Sequence, residues 1–331
     1  MNGAAGDPFG ERTRPRFRAR VSVLGGDFTV ETRDAALLDL AVEAFGGLPR
    51  HKLEPRPRRF TVRLALSDHP QSWTRGSAPP RPVLGAGVGL LCATVDAGNF
   101  VVVDVAMARA FVSISAAMLS ARYYARYELV ELAFLTLAAR GQSLVPLHAA
   151  CVGAGGRGAL LVGASGAGKS TLSLHALAGG MQFLSEDSAF VALESLRVTG
   201  VPSYLHLGPQ ALRFLPANPL RKKIEGSPPI ERRSGAGKLE VDVRRLDATF
   251  APTPLQLAAT VFLSRRKAGR QPKLRSLRRA TSLARLRREQ PYAVAQPNWR
   301  AFERRIASVP AYELPRCAHP DVAVELLRSL L

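Results

Sequence analysis

The residues Gly163-Ala-Ser-Gly-Ala-Gly168-Lys169-Ser170 complete a GxxxxGK[ST] pattern, and the chemistry this spacing can do is the grip of a polyphosphate. Glycines let the backbone turn tightly enough for consecutive amide N–H groups to converge on phosphate oxygens without Cβ atoms in the way. A helix that follows directly turns its partly positive N-terminus on the same anion. In that arrangement Gly163, Ala164, Ser165, Gly166, Ala167, Gly168, Lys169, Ser170 and Thr171 line a bound nucleoside triphosphate. Lys169 reaches the β- and γ-phosphates as a point charge, and the Ser170 hydroxyl is the expected Mg²⁺ ligand ahead of Thr171.

Two carboxylates, Glu186 and Asp187, follow about 17 residues after Lys169, a distance that fits one helix, a short connection and a return to the sheet. One acid suits holding Mg²⁺ and the other suits accepting the proton of an attacking hydroxyl. His148, in Leu147-His148-Ala149-Ala150, stands on the strand before the loop strand, where it contacts a phosphate, orients a carboxylate or is a satisfied core histidine. His175 reads as structural, and His206 and His319 have no partner at metal-binding spacing. Arg232, Arg233, Lys238 and Arg265 are candidates for stabilising the charge on a transferred phosphoryl group.

These residues need elements to hold them. A strand over 158–162 feeds the loop, and a helix runs from Lys169 to Gly179-Gly180. One strand is expected over 145–152, another over 182–184, with 189–193 as its hairpin partner, and a short one over 261–264 before an arginine-rich helical region. Upstream, a hairpin turns at Gly25-Gly26, Asp34 caps a helix ending at Gly46-Gly47, and 59–66 alternates as a strand. A Pro/Gly/Ser loop over 67–82 precedes strands near 88–95, 99–105 and 109–114, and apolar residues three or four apart predict one long helix over 117–140 joining the two halves. The expected fold class is therefore α/β, a P-loop-containing mixed-sheet sandwich. Its organisation is a disordered tail over 1–15, a smaller N-terminal α+β domain over 16–116, a linking helix over 117–140 and a P-loop domain over 141–331.

Composition narrows the function classes. The 331 residues are 47% apolar, ample for a core, and no run of about 18 uncharged apolar residues predicts a membrane span. Acids and five arginines between Arg12 and Arg20 stand where a secretion signal would be apolar. Cys92, Cys151 and Cys317 are too few and too scattered for a disulfide framework or zinc spacing, so a reducing cytoplasm is the expected compartment. The formal charge of +20 is uneven: residues 261–290 hold eleven Arg or Lys against the single acid Glu289. With no aromatic interleaving to stack bases, a solvated face is the preferred reading, an acidic protein or peptide partner comes second and nucleic acid last.

The segment LHAACVGAGGRGALLVGASGAGKSTLSLHALAGGMQFLSEDSAFV, positions 147–191, resembles the catalytic core of HPr kinase/phosphorylase and of the HPr-kinase-related proteins, a core similar in fold to phosphoenolpyruvate carboxykinase. A histidine-bearing strand, the glycine-rich loop and an acidic pair after the loop helix fall in the family's order on His148, on 163–170 and on Glu186 with Asp187. The resemblance implies an ATP- and Mg²⁺-dependent kinase that transfers the γ-phosphoryl group to a serine hydroxyl of a small protein or peptide. It implies that Glu186 takes the place of the catalytic carboxylate, that Asp187 joins Ser170 on the metal, and that His148 assists near the γ-phosphate beside Lys169. The pieces at 201–205 and 238–243 look more like the HPr-kinase-related branch, whose members accompany peptide-modification clusters, including those for lasso peptides. Glu186 replaces the aspartate of the bifunctional enzymes, Ala164 replaces an acid common in their loop, and no EIRGxG-type segment follows the acidic pair, so phosphorolysis of phosphoserine is not expected. Assembly into a homo-oligomer is compatible with the family. The alternative is a P-loop ATPase, switch or nucleotide-binding regulatory protein that passes no phosphate to an acceptor.

Overall fold

Burial alternates along the strand Arg59–Ser67: Phe60, Val62 and Leu64 are buried, while Thr61 and Arg63 turn to the other face. The computed structural model describes residues 14–54, 56–74 and 77–331, so most of the expected tail over 1–15 lies outside the described residues. The chain is mixed α/β and divides into two compact units, one from the described residues of Met1–Gly46 and Arg56–Gln142, the other from those of Gly47–Pro55 and Ser143–Leu331.

In the first unit the elements are β1 (Phe17–Val23), β2 (Gly26–Thr32), α1 (Ala35–Phe45), β3 (Arg59–Ser67), β4 (Val83–Gly87), β5 (Leu90–Asp96), β6 (Asn99–Asp104) and β7 (Arg109–Ser115). The strands form one mixed sheet in the order β1-β2-β3-β7-β6-β5-β4. Asp34 caps α1 by accepting from the amides of Ala36 and Leu37, as its position before an apolar-periodic run predicts. The sequence reading missed β4, whose Val-Leu-Gly-Ala-Gly run offers no apolar alternation.

The expected long helix over 117–140 is not continuous. It comprises α2 (Ala116–Ser120), α3 (Arg122–Tyr124), a π-turn over Ala125–Val130 and α4 (Glu131–Gly141). The break accommodates the buried Arg126, which pairs with Glu131 and lies 3.4 Å from Glu43. Residues five apart do not share an α-helical face, and the wider i→i+5 turn brings this pair together. Nor does the segment link the halves. Leu129, Ala133, Phe134, Leu137 and Ala138 are fully buried within the first unit, with the Phe134 ring 4.9 Å from Phe28 and 4.7 Å from Phe45. So wide an apolar face is a core face, not that of an exposed connector.

The second unit contains β8 (Leu144–Leu147), β9 (Ala149–Ala154), β10 (Arg157–Val162), α5 (Lys169–Ala178), β11 (Gln182–Ser185), β12 (Ala189–Ala192), β13 (Arg197–Gly200) and β14 (Tyr204–Leu207). There follow α6 (Pro219–Glu225), β15 (Pro229–Glu231), β16 (Gly237–Asp242), β17 (Leu255–Lys267), β18 (Arg275–Ser276), α7 (Arg279–Glu289), α8 (Pro291–Val294), α9 (Trp299–Ile306), β19 (Ala311–Arg316) and α10 (Pro320–Arg328). The main sheet runs β11-β9-β10-β17-β13-β12-β8, with β19 and β18 added through β17, and β14-β16-β15 form a separate antiparallel sheet. The pairs β10–β17 and β17–β19 are parallel, and the remaining pairs of the main sheet are antiparallel.

Period-two alternation explains the layers. Leu160 and Val162 of β10 point to a core shared with Leu286, Trp299, Phe302 and Ile306 of α7 and α9, while Ala159 and Leu161 point to one shared with Leu172, Ala176, Val324 and Leu327 of α5 and α10. The opposite side of α5, through Leu174 and Leu177, meets Leu205, Leu207 and Val241 of the small sheet. The loop helix is thus clamped between two sheets.

Two expectations are corrected. The single strand over 145–152 breaks at His148: β8 pairs with β12, whereas β9 pairs with β10 and β11. Residues 189–193 are not the hairpin partner of 182–184, since β12 lies between β13 and β8 and β11 lies at the edge beside β9. A chain that leaves one strand and enters a distant one must cross the end of the sheet at the residues between, and those residues are Glu186 and Asp187.

Candidate functional site

The glycine-rich loop joins β10 to α5 where the sequence places it. Gly166 and Gly168 have φ of 78° and 101°, the left-handed region in which a side chain is strained. Gly163 sits in tight quarters, since a Cβ there would lie 3.0 Å from the Ala167 Cβ and 3.3 Å from the Leu263 Cβ. The loop closes through the Ala167 amide donating to the Ala164 carbonyl at 3.1 Å.

Lys169 is buried, and its amine donates to the Gly163 carbonyl at 2.6 Å and lies 3.2 Å from His148 Nε2. Burial holds the ammonium below the ordinary lysine range against the opposing pull of Asp187 and Glu186. His148 Nδ1 lies 3.1 Å from Asp187 Oδ1, and Arg232 lies 3.6 Å from the other Asp187 oxygen. Lys169 can only donate, so His148 Nε2 accepts from it and the ring proton is left on Nδ1, the nitrogen nearer Asp187. The break between β8 and β9 positions this histidine. Its backbone is held by the buried Gln290, whose side-chain oxygen accepts from the His148 amide at 2.7 Å and whose side-chain nitrogen donates to the His148 carbonyl at 3.0 Å.

A second chain of contacts starts at the next residue. The Ser170 hydroxyl donates to Glu186 Oε1, while Glu186 Oε2 accepts from the His206 amide at 3.2 Å and from His206 Nδ1 at 3.0 Å. His206 Nε2 in turn donates to Glu240 Oε1 at 3.2 Å. His206 and Glu240 are cross-strand partners on β14 and β16, so the small sheet delivers the imidazole to the acid. Burial alone would raise the Glu186 carboxyl, but the His206 hydrogen bond and charge outweigh it, with Ser170 and Lys238 adding to the effect, and hold it below the carboxylate range. Burial would lower His206, yet its bonds to Glu186 and Glu240 raise it above the ordinary histidine value. Both shifts favour the charged forms, carboxylate with imidazolium.

The structure therefore brings together His148, Lys169, Ser170, Glu186 and Asp187, all named from the sequence. Of the candidate cations, Arg232 reaches Asp187, Lys238 acts by its charge on both Lys169 and Glu186, and Arg265 donates to the Ser165 carbonyl at 3.1 Å. Thr171 lines a cavity of about 200 Å³ against the loop, together with Gly166, Ala167 and Gly168 of the loop itself and with Phe214 and Arg265. His175 is buried on α5 and bonded to Asp321 at 2.6 Å, a structural role. His206, Glu240 and Gln290 were missed. Their partners lie 20, 34 and 142 positions away, and no local pattern marks them: His206 and Glu240 fall between the apolar positions of β14 and β16, and Gln290 follows the end of α7.

A divalent cation fits beside Ser170 and Glu186, where a hydroxyl and an ionised carboxylate already touch. Among the described residues no group of three His, Cys, Asp or Glu is arranged to hold a metal alone. The remaining ligands would be substrate phosphates and water, the usual shell of Mg²⁺. Among the described residues, no helix is long and apolar enough to cross a membrane.

No protein family matches the chain, and no curated protein does. Among solved structures it is similar to the Hpr(Ser) kinase/phosphatase from Coxiella burnetii, with 16% identity over 56% of this chain and 94% of that one and a TM-score of 0.29. At that TM-score the likeness carries no argument about this chain.

Proposed function

We propose that the second unit is a Mg²⁺-dependent kinase that transfers the terminal phosphoryl group of ATP to a serine hydroxyl of a protein or peptide. The observation that carries the reading is the convergence on one glycine-rich loop of two separate contact chains, Lys169–His148–Asp187 and Ser170–Glu186–His206. The resemblance of positions 147–191 to the HPr kinase/phosphorylase core supports it.

The geometry favours exchanging the two acids relative to the roles the resemblance implies. Glu186 touches the Ser170 hydroxyl, is buried, and is held ionised by His206, so it is a weak base and a good metal ligand. Asp187 is more open, with 30% of its side chain exposed, and is oriented by His148 and Arg232. In this reading the loop amides and Lys169 hold the phosphates, and Ser170 with Glu186 would hold Mg²⁺. A bound Mg²⁺ supplies charge neutralisation on the β- and γ-phosphate oxygens. Asp187 accepts the acceptor's hydroxyl proton as the serine oxygen bonds to the γ-phosphorus and the bond to the β-phosphate oxygen breaks, releasing ADP. Arg232 and Lys238 offset charge on the transferred group.

Incubation with γ-labelled ATP, Mg²⁺ and candidate small proteins and peptides tests the proposal, with acid-stable label on serine as the expected product. Steady hydrolysis with no labelled acceptor would favour the ATPase or switch reading instead.

A further inference from the structure

The eleven cations of 261–290 are not spread over the unit at random, and their placement relative to the site says what they are for. The segment starts beside the glycine-rich loop, where Arg265 donates to the Ser165 carbonyl at 3.1 Å. It ends at Gln290, whose side chain grips the backbone of His148. The basic stretch is therefore anchored at both of its ends to residues of the candidate site, the glycine-rich loop at one and His148 at the other.

Ten of these cations are exposed, only Arg285 being half-buried. Acids within the chain neutralise some of them. Arg266, Arg275 and Arg285 share Glu313, Arg287 pairs with Glu303, and Arg288 pairs with Glu289. Lys267, Arg270, Lys273, Arg278 and Arg279 have no carboxylate partner among the described residues. Like charges gathered this way raise the energy of the folded chain, and an anionic partner relieves that repulsion. Residues 265–288 contain no Phe, Tyr or Trp, so the surface offers charge without the stacking platforms that single-stranded nucleic acid uses.

We infer that the arginine-rich surface of 265–288 is the docking face for the phosphoryl acceptor, and that the acceptor serine lies in an acidic segment, flanked by Asp or Glu. The inference rests on the kinase reading of the site that this surface borders. It gives a role to a run of eleven cations and a single acid in a chain whose glycine-rich loop needs only a few cations. It also gives the acceptor an electrostatically steered approach, faster at low salt than at high salt.

The test uses the full chain and two fluorescent synthetic peptides, a serine flanked by glutamates and the same serine flanked by lysines, followed by anisotropy at low and high salt. The glutamate peptide is expected to bind and to weaken as salt rises, and the lysine peptide to bind at least about tenfold more weakly. Arg278→Glu with Arg279→Glu is expected to weaken the glutamate peptide about tenfold, while Arg16→Glu with Arg20→Glu, the same charge change in the first unit, leaves it within about twofold. Equal binding of the two peptides, or equal losses in the two double variants, overturns the inference. Tighter binding of an unstructured DNA oligonucleotide than of the glutamate peptide overturns it in favour of nucleic acid. Mg-ATP titration of the same proteins is scored separately: failure of the wild type to bind Mg-ATP removes the kinase reading, whereas Mg-ATP binding without peptide preference removes only the docking face.

Discussion

Asp187→Asn and Glu186→Gln separate the two acids, because the structure gives each a different environment. Asp187 is partly open and its ring partner His148 is held independently by Gln290, so the amide should leave the fold within about 0.5 kcal/mol of wild type. Losing a general base costs about 10²–10⁴ in rate, which is about 2.7–5.5 kcal/mol of activation free energy. Asp187→Asn is therefore expected to bind Mg-ATP normally and to transfer phosphate at least about a hundredfold more slowly. Glu186→Gln behaves differently. Both Glu186 oxygens accept from donors, Ser170 on one side and His206 on the other, and the amide nitrogen has to take the Ser170 side, where the hydroxyl must turn from donor to acceptor. The variant also strips the charge partner from a buried imidazolium, which escapes by losing its proton, so the expected stability loss is about 1–3 kcal/mol. Its Mg²⁺-dependent ATP affinity should fall more than its affinity for metal-free ATP. Calorimetric titration with and without Mg²⁺, urea denaturation, and single-turnover transfer to an acceptor identified by labelling supply the readouts. Normal transfer by Asp187→Asn together with normal Mg²⁺ dependence in Glu186→Gln would falsify the exchanged assignment.

Lys169→Ala should lose most affinity for ATP and for inorganic tripolyphosphate while keeping its circular dichroism spectrum, and unchanged titrations would remove the loop from the site. His206→Leu strips the imidazole's hydrogen bonds and charge from the buried Glu186 and Glu240 and is expected to cost about 3–5 kcal/mol by urea denaturation at pH 6. The same pair predicts the wild-type pH profile. His206, raised when folded, contributes stability fully present below the unfolded histidine value and lost as pH rises through its folded pKa. Glu186, lowered when folded, contributes stability present above the unfolded carboxylate value and lost as pH falls through its folded pKa. Stability should thus be greatest in mildly acidic buffer, between the unfolded Glu and His values, and His206→Leu should flatten the alkaline decline in a denaturation series over pH. Gln290→Met removes two bonds to the His148 backbone, so turnover should drop several-fold with tripolyphosphate affinity within about twofold of wild type. Equal losses of turnover and affinity would mean that Gln290 supports the loop and not the histidine.

How much of this was legible beforehand depended on the range of the interaction. The loop, its strand and its helix are written in consecutive residues: glycines where φ is positive, a lysine at the helix start and apolar alternation along 158–162, each acting on near neighbours. The acidic pair and His148 were readable as candidates, because order along the chain brings the ends of adjacent strands to one edge. The roles of the two acids were not, since the surroundings that separate Glu186 from Asp187 come from distant segments, above all the buried His206 of β14. The long helix read from 117–140 failed for the same reason: its apolar spacing was correct, but the burial of Arg126 against Glu131 required a turn that spacing alone does not encode. Local chemistry belongs to the sequence because the backbone enforces it over a few bonds. The pairings of Ser170 with Glu186, His206 with Glu240 and Gln290 with His148 belong to the tertiary structure, because only packing of the sheets and the loop helix carries groups tens of residues apart to hydrogen-bonding distance.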